Sequence, residues 1–224
     1  MSLIATENGG SYQLPPEGNH LARCTRVIDL GTQTDAYNGK SKKYHRVMLG
    51  WELPQEKAVF DEERGAEPFL VSKEYTLSLN ERANLRHDLE SWRGKGFSEA
   101  ERKAFDISQV LGAVCMVNVI HRVSAKKRKY PSVTGITPVP KGMKDLVPKQ
   151  VLPSIKYLIE DRRDGAFEVL PEFIQEKIMA SEEWEADSTS DDLESVNAKL
   201  AAGTNGEPVP VEEAQTRVIS AFED

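Results

Sequence analysis

The chain has 224 residues, 39% of them hydrophobic, which is enough to bury the core of one sizeable domain. No apolar run approaches the roughly 18 residues of a membrane-spanning helix, and MSLIATENGGSYQ lacks the features of a secretory leader, so a soluble cytoplasmic protein is expected. The net charge of −7 is unevenly placed: residues 1–150 carry 23 Lys and Arg against 18 Asp and Glu (+5), residues 151–224 carry 6 against 18 (−12). A basic body followed by an acidic end suits a protein that holds a polyanion.

Taken in chain order, residues 20–33 (HLARCTRVIDLGTQ) alternate apolar and polar side chains and read as a first strand. Asn38-Gly39 then signals a hairpin, because both residue types tolerate positive φ. A second strand is expected over residues 42–53, with Val47, Leu49 and Trp51 on a core face and Tyr44, Arg46 and Met48 on an available one. Residues 54–68 are acidic and contain Pro54, Gly65 and Pro68, which predicts a loop. A third strand spans Phe69 to Leu79. The S-x-x-E spacing of Ser78 and Glu81 predicts the start of a helix carrying Leu85, Leu89 and Trp92, stopped by Gly94. Ser98 and Glu101 repeat the capping signal for a second short helical stretch. Strands return at residues 113–123 and from Tyr130, joined by the basic turn SAKKRK.

Three strands, a helical segment and two strands match a five-stranded OB-fold barrel with a helical insert between strands three and four. The expected organisation is mainly β. An OB domain occupies residues 1–146, and an extension over 147–180 holds a short helix opened by Pro171, with Phe173, Ile174 and Ile178 apolar. That helix is expected to dock on the barrel or on a second subunit of a homo-oligomer. Residues 181–224 have few large apolar side chains and a heavy acidic load, and read as a disordered tail. Cys24 and Cys115 fall in strands without C-x-x-C spacing and read as buried thiols.

Signals for turnover are weak. Gly39-Lys40-Ser41 resembles the end of a phosphate-binding loop, but Thr34 stands where that motif needs glycine. The four histidines show no metal-ligand spacing, so neither enzyme activity, metal nor cofactor is expected. The basic and aromatic residues point instead to single-stranded nucleic acid, which cations grip through phosphates and aromatic faces grip by stacking, at roughly 1–3 kcal/mol per base. Lys42, Lys43, Tyr44 and Arg46 lie on or before the second strand. Lys73 and Tyr75 lie on the third, where Tyr75 suits core and stacking equally. Lys126, Lys127, Arg128 and Lys129 form a cationic loop bordered by Arg122 and Tyr130. In an OB barrel that loop flanks the cleft. The chain closes on RVISAFED, where Phe222, Glu223 and Asp224 form an apolar-acidic tip suited to a protein partner or to competing for the cleft.

The segments LARCTRVIDLGTQ, EYTLSLNERANLRHDLESWRGKGFSEAERKAFD, the strand ending VIHR and YPSVTGITPVPKGM resemble the bacteriophage-encoded single-stranded DNA-binding proteins of OB fold. The resemblance covers roughly residues 15 to 180. It implies coating of single-stranded DNA in phage replication and recombination, in the host cytoplasm, with an acidic C-terminus that recruits other replication proteins. The terminus departs from the bacterial pattern, in which an aromatic closes the run of acids, since here Glu223 and Asp224 follow Phe222. A protein-binding OB adaptor or recombination mediator of the replisome is the alternative, and RNA is an open ligand.

Overall fold

The computed structural model describes residues 13–37, 40–161 and 165–186, and these are mainly β. Strands β1 (Gly18–Tyr37), β2 (Lys40–Asp61) and β3 (Gly65–Thr76) form an antiparallel meander. The first residues of β1, Gly18 to Arg23, also pair with β4 (Val114–Val123), and β4 pairs with β5 (Lys129–Thr137). The order is therefore β3-β2-β1-β4-β5, with the short β6 (Ile155–Tyr157) parallel to β1 at Arg26–Ile28. The sheet curls until residues of β3 and β5 come within 8 Å, Cα to Cα, yet those strands do not pair, so the sheet is not closed into a barrel.

The curl follows from β1. Its register breaks between Cys24 and Arg26 and between Asp29 and Gly31, and such bulges bend a strand and increase its twist. Ala22, Cys24 and Val27 consequently join an inner core with Val47, Leu49, Trp51, Val71 and Val117, whereas Ile28 and Leu30 join a second cluster. Both cysteines are buried thiols, as expected.

Between β3 and β4 lie α1 (Asn84–Arg93) and α2 (Glu99–Lys103). Leu85, Leu89 and Trp92 stand at i, i+4 and i+7, so one face of α1 is buried against the inner core. The Trp92 indole N–H donates to the Val114 carbonyl at 2.9 Å, its ring sits 6.1 Å from that of Trp51, and Gly94 ends the helix in the left-handed region at φ 66°. Ser98 and Glu101 form the expected capping box. Ser78 does not cap α1: residues 80–83 form a turn first, Ala83 is the N-cap, and the Ser78 hydroxyl accepts from the Asn80 amide instead.

The acidic stretch expected as a loop is a hairpin. β2 runs on through Pro54 to Asp61 and β3 begins at Gly65. A register shift between Leu53 and Lys57 absorbs Pro54, a proline being tolerated where the ladder is already broken. The outer face of β2 is not free either. Met48 is buried with Ile28 and Leu30 under Tyr157, Leu170, Ile174 and Ile178, the last two from α3 (Glu172–Met179). The expected docking of this helix on the sheet is found, although Phe173 faces outward at 57% exposure. Packing continues through Trp184, whose ring stacks on Phe167 at 4.7 Å. Gly31, at φ 68°, permits this close approach: a Cβ there would lie 2.6 Å from Ile159 Cδ1 and from Ser181 Cβ.

Candidate nucleic-acid interface

β3, β4 and β5 bring sequence-distant candidates to one place. A groove of about 490 Å³ between the two edge strands is lined by Lys73 and Glu74 of β3, Arg122 of β4, and Tyr130 through Thr134 of β5. Arg122 pairs in register with Tyr130, so both stand at the turn end of the β4–β5 hairpin. Tyr130 is 42% exposed, leaving ring surface for a ligand. Glu74 is engaged by Lys177 of α3 and Lys73 by Asp88 of α1, which leaves Arg122 to set the sign of the groove.

The adjoining turn is built by Ser124. Its amide donates to the Arg128 carbonyl at 2.9 Å, its carbonyl accepts from the Lys127 amide at 2.8 Å, and its hydroxyl accepts from the Arg128 amide at 3.2 Å. Lys127 takes a left-handed φ of 58°, a conformation that costs a non-glycine residue about 1–2 kcal/mol. Lys126, Lys127, Arg128 and Lys129 are all exposed, and among the described residues none has an ion-pair partner.

Lys73 and Tyr75 are both partnered within the chain. Both project to the inner side of β3, where Asp88 of α1 accepts from the Lys73 ammonium at 2.6 Å and from the Tyr75 hydroxyl at 2.7 Å. Tyr75 is 1% exposed and belongs to the core, so it offers no face for stacking. Burial and the neighbouring Asp88 carboxylate push its phenol pKa up, which keeps it a neutral donor. Lys73 still reaches the groove, but as a half-buried, paired cation.

Lys42, Lys43, Tyr44 and Arg46 sit on the β1–β2 hairpin and do not line the β3–β5 groove. Lys42 is exposed. Lys43 pairs with Glu182 at 2.7 Å, while Arg46 pairs with Asp35, donates to Thr76 Oγ1 at 3.2 Å and lies 5.4 Å from the centre of the Tyr44 ring. Two of these cations are thus already satisfied by carboxylates of the chain itself. Phe222, Glu223 and Asp224 lie outside the described residues, as does the Asn38-Gly39 turn, although β1 and β2 pair as far as Tyr37 and Lys40.

One cluster on this hairpin was not anticipated. His45 Nε2 lies 2.7 Å from Asp29 and Nδ1 lies 3.6 Å from Glu183, whose carboxylate also accepts from the Thr32 amide at 2.7 Å and hydroxyl at 2.6 Å. The hydrogen bond to Asp29 raises the His45 pKa against the opposing effect of burial. A pKa raised by folding means that the imidazolium stabilises the fold below its ordinary range and ceases to do so as pH rises through the raised value. Wild type is therefore expected to exceed His45→Gln in stability at pH 5, with the gap closing above neutrality. Urea midpoints of the two proteins at pH 5 and pH 8 check this, and a gap that widens with pH would contradict it.

No protein-family model and no curated protein matches the chain. Among the described residues no helix is long and apolar enough to cross a membrane.

Proposed function

We propose that the chain is a non-catalytic, largely sequence-independent single-stranded DNA-binding protein with an OB-type sheet, acting in phage replication or recombination. Support for an OB-type sheet comes from the order β3-β2-β1-β4-β5 with α1 and α2 inserted between β3 and β4, the arrangement expected of three strands, a helical insert and two strands. OB folds bind oligonucleotides with the face of strands two and three and with the loops joining strands one to two and four to five. The observation that carries the proposal is the convergence of Arg122, Tyr130 and the Asp88-paired Lys73 on one groove beside four cations that have no carboxylate partner among the described residues. Phosphates track the loop and Arg122, and a base stacks on Tyr130.

Gel shifts with a dT oligomer and with a duplex of equal length test the proposal. A preference for the single strand is expected, and equal binding of the duplex would overturn it. Two substitutions then separate the tyrosines. Tyr130→Ala is expected to lose about 1–3 kcal/mol of oligomer affinity, roughly 5- to 150-fold, whereas Tyr75→Phe leaves affinity within twofold and lowers stability by removing one of the two hydrogen bonds to Asp88. Equal losses from both would remove Tyr130 from its assigned role.

A further inference from the structure

We infer that the groove beneath the helical insert docks a partner peptide in which a large apolar side chain is followed by carboxylates. This site shares no residue with the β3–β5 groove and does not rest on the single-strand reading.

The groove measures about 510 Å³, and Leu89, Trp92, Phe105, Val110, Pro138 and Val139 form its apolar part. A volume of roughly 300–1,000 Å³ is what pockets for compact ligands occupy. Lys95 and Lys144 supply the net charge, Arg93 being paired with Glu101. The nearby carboxylates are already committed: Glu101 accepts from the Ser98 amide at 2.8 Å and pairs with Arg93, and Glu90 accepts from Arg86 at 2.9 Å and from the Phe97 amide at 3.2 Å. Hydrogen bonds from the Ser98 amide and from Arg93 pull the Glu101 pKa down to about 2, so it stays ionised and attached. Among the described residues Lys95 and Lys144 have no ion-pair partner, and the buried Nη1 of Arg93 has no acceptor.

Arg93 is also held in place. Its guanidinium lies 4.3 Å from the centre of the Phe97 ring and 5.5 Å from that of Phe105, while its other end is tied to Glu101. Arg93 is thus a fixed wall of the groove, neutralised by Glu101, and peptide carboxylates are met by the exposed ammonium groups of Lys95 and Lys144. The apolar part favours a side chain over a base. Trp92 is buried with its N–H already used, and Phe105 meets Phe97 edge-on at 5.0 Å with Arg93 beside it, so no broad aromatic face is open for stacking.

The test uses the full chain and a fluorescein-labelled hexapeptide, Gly-Ser-Phe-Asp-Asp-Phe with a free terminal carboxylate, followed by fluorescence anisotropy. Saturable binding is expected, weakening as salt rises. The double variant K95E/K144E changes two exposed side chains and should reduce affinity at least about tenfold, a loss of roughly 1.4 kcal/mol. Ala104→Trp, which fills the groove from an exposed position, should reduce it as well. Both variants should bind a dT oligomer within twofold of wild type. Absence of saturable binding, equal binding of a peptide with lysines in place of the aspartates, undiminished binding by K95E/K144E, or displacement of the peptide by the dT oligomer would each overturn the inference.

Discussion

Replacing Lys126, Lys127, Arg128 and Lys129 together with alanine is expected to weaken dT-oligomer binding by about 10²- to 10³-fold at 0.1 M salt. Each phosphate neutralised on a single strand contributes about 0.7 to the slope of log K against log salt. Four contacts therefore account for a slope of nearly three and, referred to 1 M salt, for a factor of several hundred at 0.1 M. Folding should be little affected, because all four side chains are exposed and the turn is held by the Ser124 hydrogen bonds. Binding titrations at several salt concentrations read both quantities. A slope unchanged from wild type would make the loop a solvated hairpin tip and leave the groove without its main source of phosphate affinity.

Trp51→Ala is expected to cost about 3–5 kcal/mol, the range for truncating a large buried aromatic. Trp51 is 0% exposed, pairs in register with Cys24 of β1 and Val71 of β3, and packs its ring at 59° to Trp92. It therefore ties three strands to the helical insert at one point. Domains of this kind are stable by only about 5–15 kcal/mol, so much of the total is at stake. Urea unfolding followed by far-ultraviolet ellipticity should show a lowered midpoint at unchanged slope. A loss below about 1 kcal/mol would mean that the inner core closes around the gap.

Several elements were legible because their signals are local. Strand-forming runs mark β4 and β5, i, i+4 and i+7 spacing marks the buried face of α1, and Ser98 with Glu101 caps α2 through bonds three residues apart. What escaped depends on partners far away in the chain. Pro54 argued for a loop, yet a bulge lets β2 pass through it. Met48 looked available because its neighbours Tyr44 and Arg46 on that face are polar, whereas a helix more than a hundred residues later covers it. Alternation put Tyr75 on a face without saying which, and only Asp88 of α1 decides that it points inward. Lys73, Arg122 and Tyr130 meet because the curled sheet turns its two edges toward each other, a property of the strand order rather than of any one segment. The cationic loop needed no partner to be recognised, and it remains exposed.

Photo-crosslinking of a 5-iodo-deoxyuridine oligomer to the full chain, followed by peptide mass spectrometry, tests most directly where a single strand lies. The account predicts adducts at Tyr130 and within residues 122–134, reduced by Tyr130→Ala and by high salt. Adducts confined to other surfaces, with residues 122–134 unmodified at saturating oligomer, would contradict it.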